Sequence, residues 1–416
     1  MSVFFAGFTL AGVEAVCGFH EFKRGEVLGL LGRLVDKSLV VVEQTQPSTT
    51  RYKLLETIHE YGREKLDQAG EAADLRNRHL EYFVELAEQA EKNTLSADFV
   101  KNHRLLDEEM DEIRVAMEWA IQSRQAAMVF RLSAALYYFW YQRGLTGPDR
   151  QEQPGDALPL VEGMEKKPAM ARTINAMGFL YWADVVPVNP PGQPEESFST
   201  GNKLGDKLII AQSLCNLGLV AVTGGRYRDA YFFFKCSLDL FQELGARYSE
   251  YAWSLTFMGD VVFHLNDLQA ARSYYERGIH ALRELENRNF LAYAVRRLAQ
   301  LSWYCGEYEK AARLCRESLT INQELGDVRG ILASLSGYAA IATGQGRLAH
   351  AAQLLGAVER LLESRNIRLV YMDRLERERN VSVLRGQLDP AALQDAWQMG
   401  TAMDLEEAVA FALHES

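Results

Sequence analysis

His59-Glu60 opens like the HExxH helix that holds a zinc ion beside its catalytic glutamate, but Tyr-Gly-Arg follows and the second histidine is missing. The paired carboxylates Glu108-Glu109 and Glu406-Glu407 are the residue types of an acid/base pair. They sit on helical stretches beside basic or apolar neighbours, and read as solvated faces. No GxSxG elbow, GxGxxG loop or GxxxxGK[ST] phosphate loop occurs, so neither a nucleophile turn nor a backbone cradle for phosphates is encoded. The five cysteines (17, 215, 236, 305 and 315) are scattered and never form a CxxC pair, which argues against a disulfide framework or a zinc knuckle and fits a reducing cytoplasm. The expectation is therefore no catalytic residue, no cofactor and no metal ligand.

What could position binding chemistry instead is a repeat. A chain of 416 residues exceeds one ordinary core. Its 48% hydrophobic and 24% charged residues are those of a folded protein. From about residue 204 three markers share one period of 40 to 41: the alanines at 230, 271, 311 and 351, the leucines at 204, 244, 285 and 325, and the small residues Gly178, Gly218, Gly259, Ala299 and Ala339. Each period holds two stretches of helical spacing, such as 252–264 and 268–285, with a small residue where two backbones must approach. The twelve-residue spacing of small residue and alanine resembles the tetratricopeptide repeat, in its longer-helix form. That resemblance implies a concave groove lined by Gln212, Cys215, Trp253, Thr256, Asp260, His264, Tyr293, Arg296, Gln300 and Tyr304, rich in the aromatic and arginine side chains that anchor protein partners. The plainer alternative, that Trp253 and Tyr293 pack between neighbouring helices, stays open from sequence.

The first 66 residues read differently. Helical spacing over 27–37 is followed by two short strands, 39–43 and 51–55, with a loop containing Pro47: the outline of a winged helix. The apolar start, 3–13, reads as a buried helix rather than a signal sequence, since Glu14 interrupts it and no Lys or Arg precedes it. The apolar run 134–141 is too short for a span of roughly 20 residues, so no membrane is expected. Eight of the ten prolines lie between Pro148 and Pro194, marking an irregular connector with one helix near 169–183. The stretch 184–197, proline-rich where the first repeat should have its second helix, leaves that repeat degenerate.

The blocks Leu31-Gly-Arg-Leu-Val-Asp-Lys-Ser-Leu-Val40 and Arg51-Tyr-Lys-Leu-Leu-Glu-Thr-Ile58, with Met110-Asp-Glu-Ile-Arg-Val-Ala-Met-Glu-Trp119 and the tail Ala351-Ala-Gln-Leu-Leu-Gly356, resemble bacterial STAND-type regulators. Those proteins carry an NB-ARC-like ATPase, a winged helix, a helical spacer and a tetratricopeptide array, and many end in a LuxR-type helix-turn-helix. Here the sequence given opens at the winged helix and stops after the repeat tail, so ATPase and output activities are not expected of it. The alternative is a transcription factor binding DNA through Lys23, Arg24, Arg33 and Lys37. Eight basic against nine acidic residues over 1–70, within a chain of net charge −11, disfavour it.

The expectation is an all-α protein: winged-helix-like 1–66 with a small β-hairpin, helical spacer 67–145, connector 146–200, repeats 201–365 forming an α-helical superhelix of tetratricopeptide-like hairpins, and a helical cap 366–416. Its expected role is the non-catalytic, cytoplasmic sensing and interaction half of a STAND-type regulator. The expected partner is a protein or peptide in the groove, including a separately encoded ATPase or regulator.

Overall fold

The computed structural model describes residues 1–18, 24–46, 49–92, 99–143, 175, 193–245 and 248–414. These fall into two compact units, one reaching to Leu136 and the other beginning at Tyr137.

In the first unit, β1 (Phe8–Thr9), α1 (Leu10–Cys17), α2 (Arg24–Asp36), β2 (Val40–Gln46) and β3 (Thr49–Leu54) follow one another. The three strands form an antiparallel sheet in the order β1-β3-β2, which is the winged-helix outline. The apolar start is not one helix, as its composition suggested. Thr9 accepts a hydrogen bond from the Gly12 amide and caps α1 there, leaving Phe5 67% exposed ahead of the strand. Helices α3 (Glu56–Ala69) and α4 (Ala72–Lys92) are separated by Gly70, whose φ of 73° is the left-handed conformation that ends a helix cheaply only at glycine. Helices α5 (Phe99–Glu108), α6 (Met110–Gln122) and α7 (Ala126–Arg143) follow.

Charge, not only apolar packing, ties the sheet to the helices of this unit. Arg51 on β3 is buried and donates to both Glu109 carboxylate oxygens at 2.6 and 3.2 Å. Glu112 on α6, also buried, accepts from the Ala6 and Gly7 amides and lies 2.9 Å from His79 Nε2 of α4. Burial of this kind is favourable only when each charge finds partners, and here each does.

The second unit is the repeat array. Helix α8 (Gln193–Leu204) packs on α9 (Lys207–Thr223), and the pairs α9/α10 (Tyr227–Glu243), α11 (Ser249–His264)/α12 (Leu268–Glu284), α13 (Arg288–Tyr304)/α14 (Tyr308–Leu325) and α15 (Val328–Gly344)/α16 (Leu348–Ser364) stack in order. This is a tetratricopeptide-like helical superhelix. A packed helix, α8, covers 193–204, overlapping the end of the proline-rich stretch 184–197. Asn175 Oδ1 accepts from Ser197 and Ser213, and Asn216 donates to the Asn175 carbonyl at 2.7 Å. The expected helix at 169–183 otherwise lies outside the described residues.

Most turns in the array repeat one device, a residue at positive φ followed by the residue that starts the next helix. Gly205, Asn266, Glu286 and Gly326 are left-handed, and Asp206, Asp267, Asn287 and Asp327 behind them cap the next helix by accepting from its first amides. Inside each hairpin the small residue answers a partner sixteen positions on. A Cβ at Gly218 would lie 2.8 Å from the Phe234 ring, and one at Gly259 would lie 2.5 Å from Tyr275. In the next units alanine replaces glycine, and the partners shrink to Cys315 and Leu355, all four residues sharing one apolar cluster. That cluster runs into the cap of α17 (Tyr371–Gln387), α18 (Pro390–Thr401) and α19 (Leu405–His414) through Leu384, Ala396 and Val409. Among the described residues no helix is long and apolar enough to cross a membrane.

Candidate partner-binding groove

The first helix of each hairpin is mostly buried, so polar groups on it must be matched or be costly. On α11, Asp260 is 1% exposed and directly follows Gly259. It accepts three hydrogen bonds: from Tyr275 Oη at 2.7 Å, from Tyr293 Oη at 2.8 Å and from Arg297 Nε at 2.7 Å. Three consecutive helices thus meet at one carboxylate. Burial, together with that anion, holds both phenols well above the usual tyrosine range, so they act as donors at all physiological pH. Burial alone would lower Arg297, but Asp260 and the phenols reverse that and keep it charged.

The matching acids for the rest of this charge come from the cap. Arg296 Nη2 donates to Asp373 Oδ2 at 2.7 Å and Nε to Oδ1 at 3.3 Å, a two-pronged pair across 77 residues. Arg297 Nη1 lies 3.5 Å from Glu376 Oε2 and 4.0 Å from Asp373. Asp373 and Glu376 are three apart and therefore share a face of α17, the one turned to Arg296 and Arg297 of α13. Burial pushes the Glu376 carboxyl up to about 7, opposed by Arg297 and reinforced by Asp373.

The row expected to line an open groove is thus largely covered, and its picture as a solvent-lined surface is corrected. Trp253, Thr256, Asp260, Tyr293 and Arg296 are buried, while Gln212, His264 and Gln300 are half-buried and Tyr304 is 47% exposed. Trp253 stacks on Phe290 at 4.9 Å, packing against the next hairpin. Thr256 donates to the Ala252 carbonyl within its own helix, and Gln212 donates to Glu250 of the next repeat. His264 lies flat on Tyr227 at 4.6 Å, with its pKa lowered to about 4 by burial and by Arg297, so it is neutral at pH 7. Cys215 is buried against Ser254, and burial pushes its thiol up to about 12, which removes it as a nucleophile. A small cleft remains beside α17, walled by Gln300, Trp303, Gly337 and Ala340.

Arg33 on α2 and Lys37 just after it are exposed. Arg24 begins that helix, and Lys23 lies outside the described residues.

Residues 208–408 match the family described as the MalT-like TPR region. Over 147 residues, 34% of this chain, the sequence is 38% identical to a Mycobacterium tuberculosis protein whose name assigns it provisionally to the HTH-type transcriptional regulators. The match spans 16% of that relative. Two solved structures are similar at low identity. A STAND protein with a tetratricopeptide repeat sensor from Pyrococcus horikoshii is 14% identical with a TM-score of 0.47, covering 98% of this chain and 62% of that one. A Rap protein complexed with Competence and Sporulation Factor is 12% identical with a TM-score of 0.48, covering 82% and 89%.

Sequence reasoning placed Asp260, Tyr293 and Arg296 in one groove lining but missed Tyr275, Arg297, Asp373 and Glu376. One signal was present: Arg296-Arg297 in the middle of a buried helix announces nearby acids, since arginine is almost never fully buried unpaired.

Proposed function

We propose that this chain is the non-catalytic interaction and sensing part of a STAND-type transcriptional regulator, whose repeat groove takes up a protein or peptide segment. The match of residues 208–408 to MalT-like TPR regions and the regulator name of the mycobacterial relative support this. The observation that carries it is that the inner face of the array already holds a helix of the chain itself. It does so through Arg296 and Arg297, which face Asp373 and Glu376 of that helix, while Asp260 and the phenols of Tyr275 and Tyr293 surround the arginines from the array side. A surface built that way reads both the shape and the charge of what lies in it. A separately encoded ATPase or regulator is the fitting class of partner.

The test is to pan a displayed random-peptide library on the full chain and on its Gln300→Lys and Tyr304→Glu variants. Both positions lie at the accessible end of the inner row, so replacing them disturbs little of the core. Peptides enriched on the wild type should bind the variants at least tenfold more weakly. A library that yields nothing, or binders indifferent to both substitutions, overturns the reading.

A further inference from the structure

Helix α17 is an uneven element. Its sequence, YMDRLERERNVSVLRGQ, buries only Met372, Asp373, Asn380 and Leu384. The second half is anchored apolarly, since Leu384 belongs to the core of the last repeat and cap and Val381 packs against it. The first two turns hold the groove differently: Met372 is buried, Asp373 pairs with Arg296, Glu376 faces Arg297, and Leu375 between them is 36% exposed. With these turns lifted away, the two guanidinium groups would keep one carboxylate at hydrogen-bonding distance, Asp260. An array left in that state calls for an incoming carboxylate.

We propose that the first two turns of α17, residues 371–378, are a built-in occupant of the groove, displaced by a helical segment of a partner that carries an apolar residue followed by Asp and, three residues later, Glu. This rests on the reading of the groove as a partner site. The pattern is that of Met372-Asp373 and Glu376, because the same pockets must be filled. The anchored second half keeps the released turns close, so the partner competes against a high local concentration of the chain's own acids. Apparent affinity is then the intrinsic affinity reduced by the fraction of grooves that are open.

The probe is a fluorescent synthetic peptide of residues 367–380 of this chain. Weakening the occupant with Asp373→Asn in the full chain, which breaks the pair with Arg296, should tighten peptide binding at least tenfold relative to wild type. A peptide with the same substitution should bind neither chain. As a measurement that needs no variant to fold, excess peptide added to the wild-type chain should speed amide hydrogen exchange across 371–378 and leave 381–387 protected.

Equal affinity of both chains with unchanged exchange at 371–378 overturns the proposal. So does competition by the substituted peptide, or a shift of the wild-type chain to dimers that trade α17 between copies. If peptides selected through Gln300 and Tyr304 bind while 371–378 stays protected, displacement is wrong and the groove reading stands.

Discussion

Replacing Arg297 by Met removes the charge at the centre of the repeat array while keeping most of its volume. The guanidinium is 1% exposed and lies 2.7 Å from Asp260, which is equally buried. Losing one partner of such a pair costs about 3 to 5 kcal/mol, because the remaining carboxylate is desolvated without its counter-charge. Tyr275 and Tyr293 still donate to Asp260 in the variant, which places the expected cost near the lower end, about 3 kcal/mol. For a folded unit of this size each kcal/mol moves the melting midpoint by about 2 to 4 °C, so Arg297→Met should lower it by about 6 to 12 °C. Asp260→Asn, which strands the arginine instead, should cost a similar amount. The double variant removes both charges together and should recover at least about 2 kcal/mol relative to the sum of the singles. Circular dichroism melts of the four chains give the cycle. A coupling below about 0.5 kcal/mol would refute the assignment of this pair as the electrostatic centre of the array.

Gly218→Ala forces a Cβ toward the Phe234 ring and should destabilise by about 1 to 3 kcal/mol, and adding Phe234→Leu, the pairing the last repeat uses at Ala339 and Leu355, should restore more than half in a denaturant titration. Glu376 has a folded pKa raised above its unfolded value, so its favourable contribution is full below about pH 4.5 and is lost as pH rises toward 7. The melting midpoint of Glu376→Gln minus that of wild type should therefore increase between pH 4.5 and 8, and a flat difference contradicts the burial of an acid there. In the first unit, Glu112→Ala strips the acceptor from the Ala6 and Gly7 amides and the partner from His79, and should cost about 3 to 5 kcal/mol, read as faster proteolysis of residues 1–18.

Much of the architecture was legible because it is local or periodic. Two helices per period, the turn residues between them and the glycine at 218 and 259 each follow from contacts made within a unit or with its neighbour, and a forty-residue repeat writes such contacts into the sequence every time. The winged-helix strands were legible for the same reason, a hairpin being a short-range structure. Where the reading failed, a local rule met a competing one. Thr9 caps a helix inside what looked like a single apolar run, and Pro194, awkward in a helix interior, stands within the first turn of α8, where its missing amide costs nothing.

The groove shows a different limit. Counting from the small residue found Asp260, Tyr293 and Arg296 as groove-lining positions but not what covers them, because the acids that pair with the arginines arrive from a helix 77 to 79 residues away and outside the repeat period. Periodicity encodes which side chains point inward; it says nothing of whether solvent, a partner or the chain's own tail meets them. Arg296 and Arg297 are adjacent and buried, and Asp260 is the array carboxylate that takes a hydrogen bond from them, so the cap supplies the rest of the charge balance. The two turns that close it bury little apolar surface beyond Met372. An element held mainly by charge complementarity is one that another segment of the same charge pattern can replace, whereas the Leu384 end, held by packing, cannot be exchanged without opening a cavity.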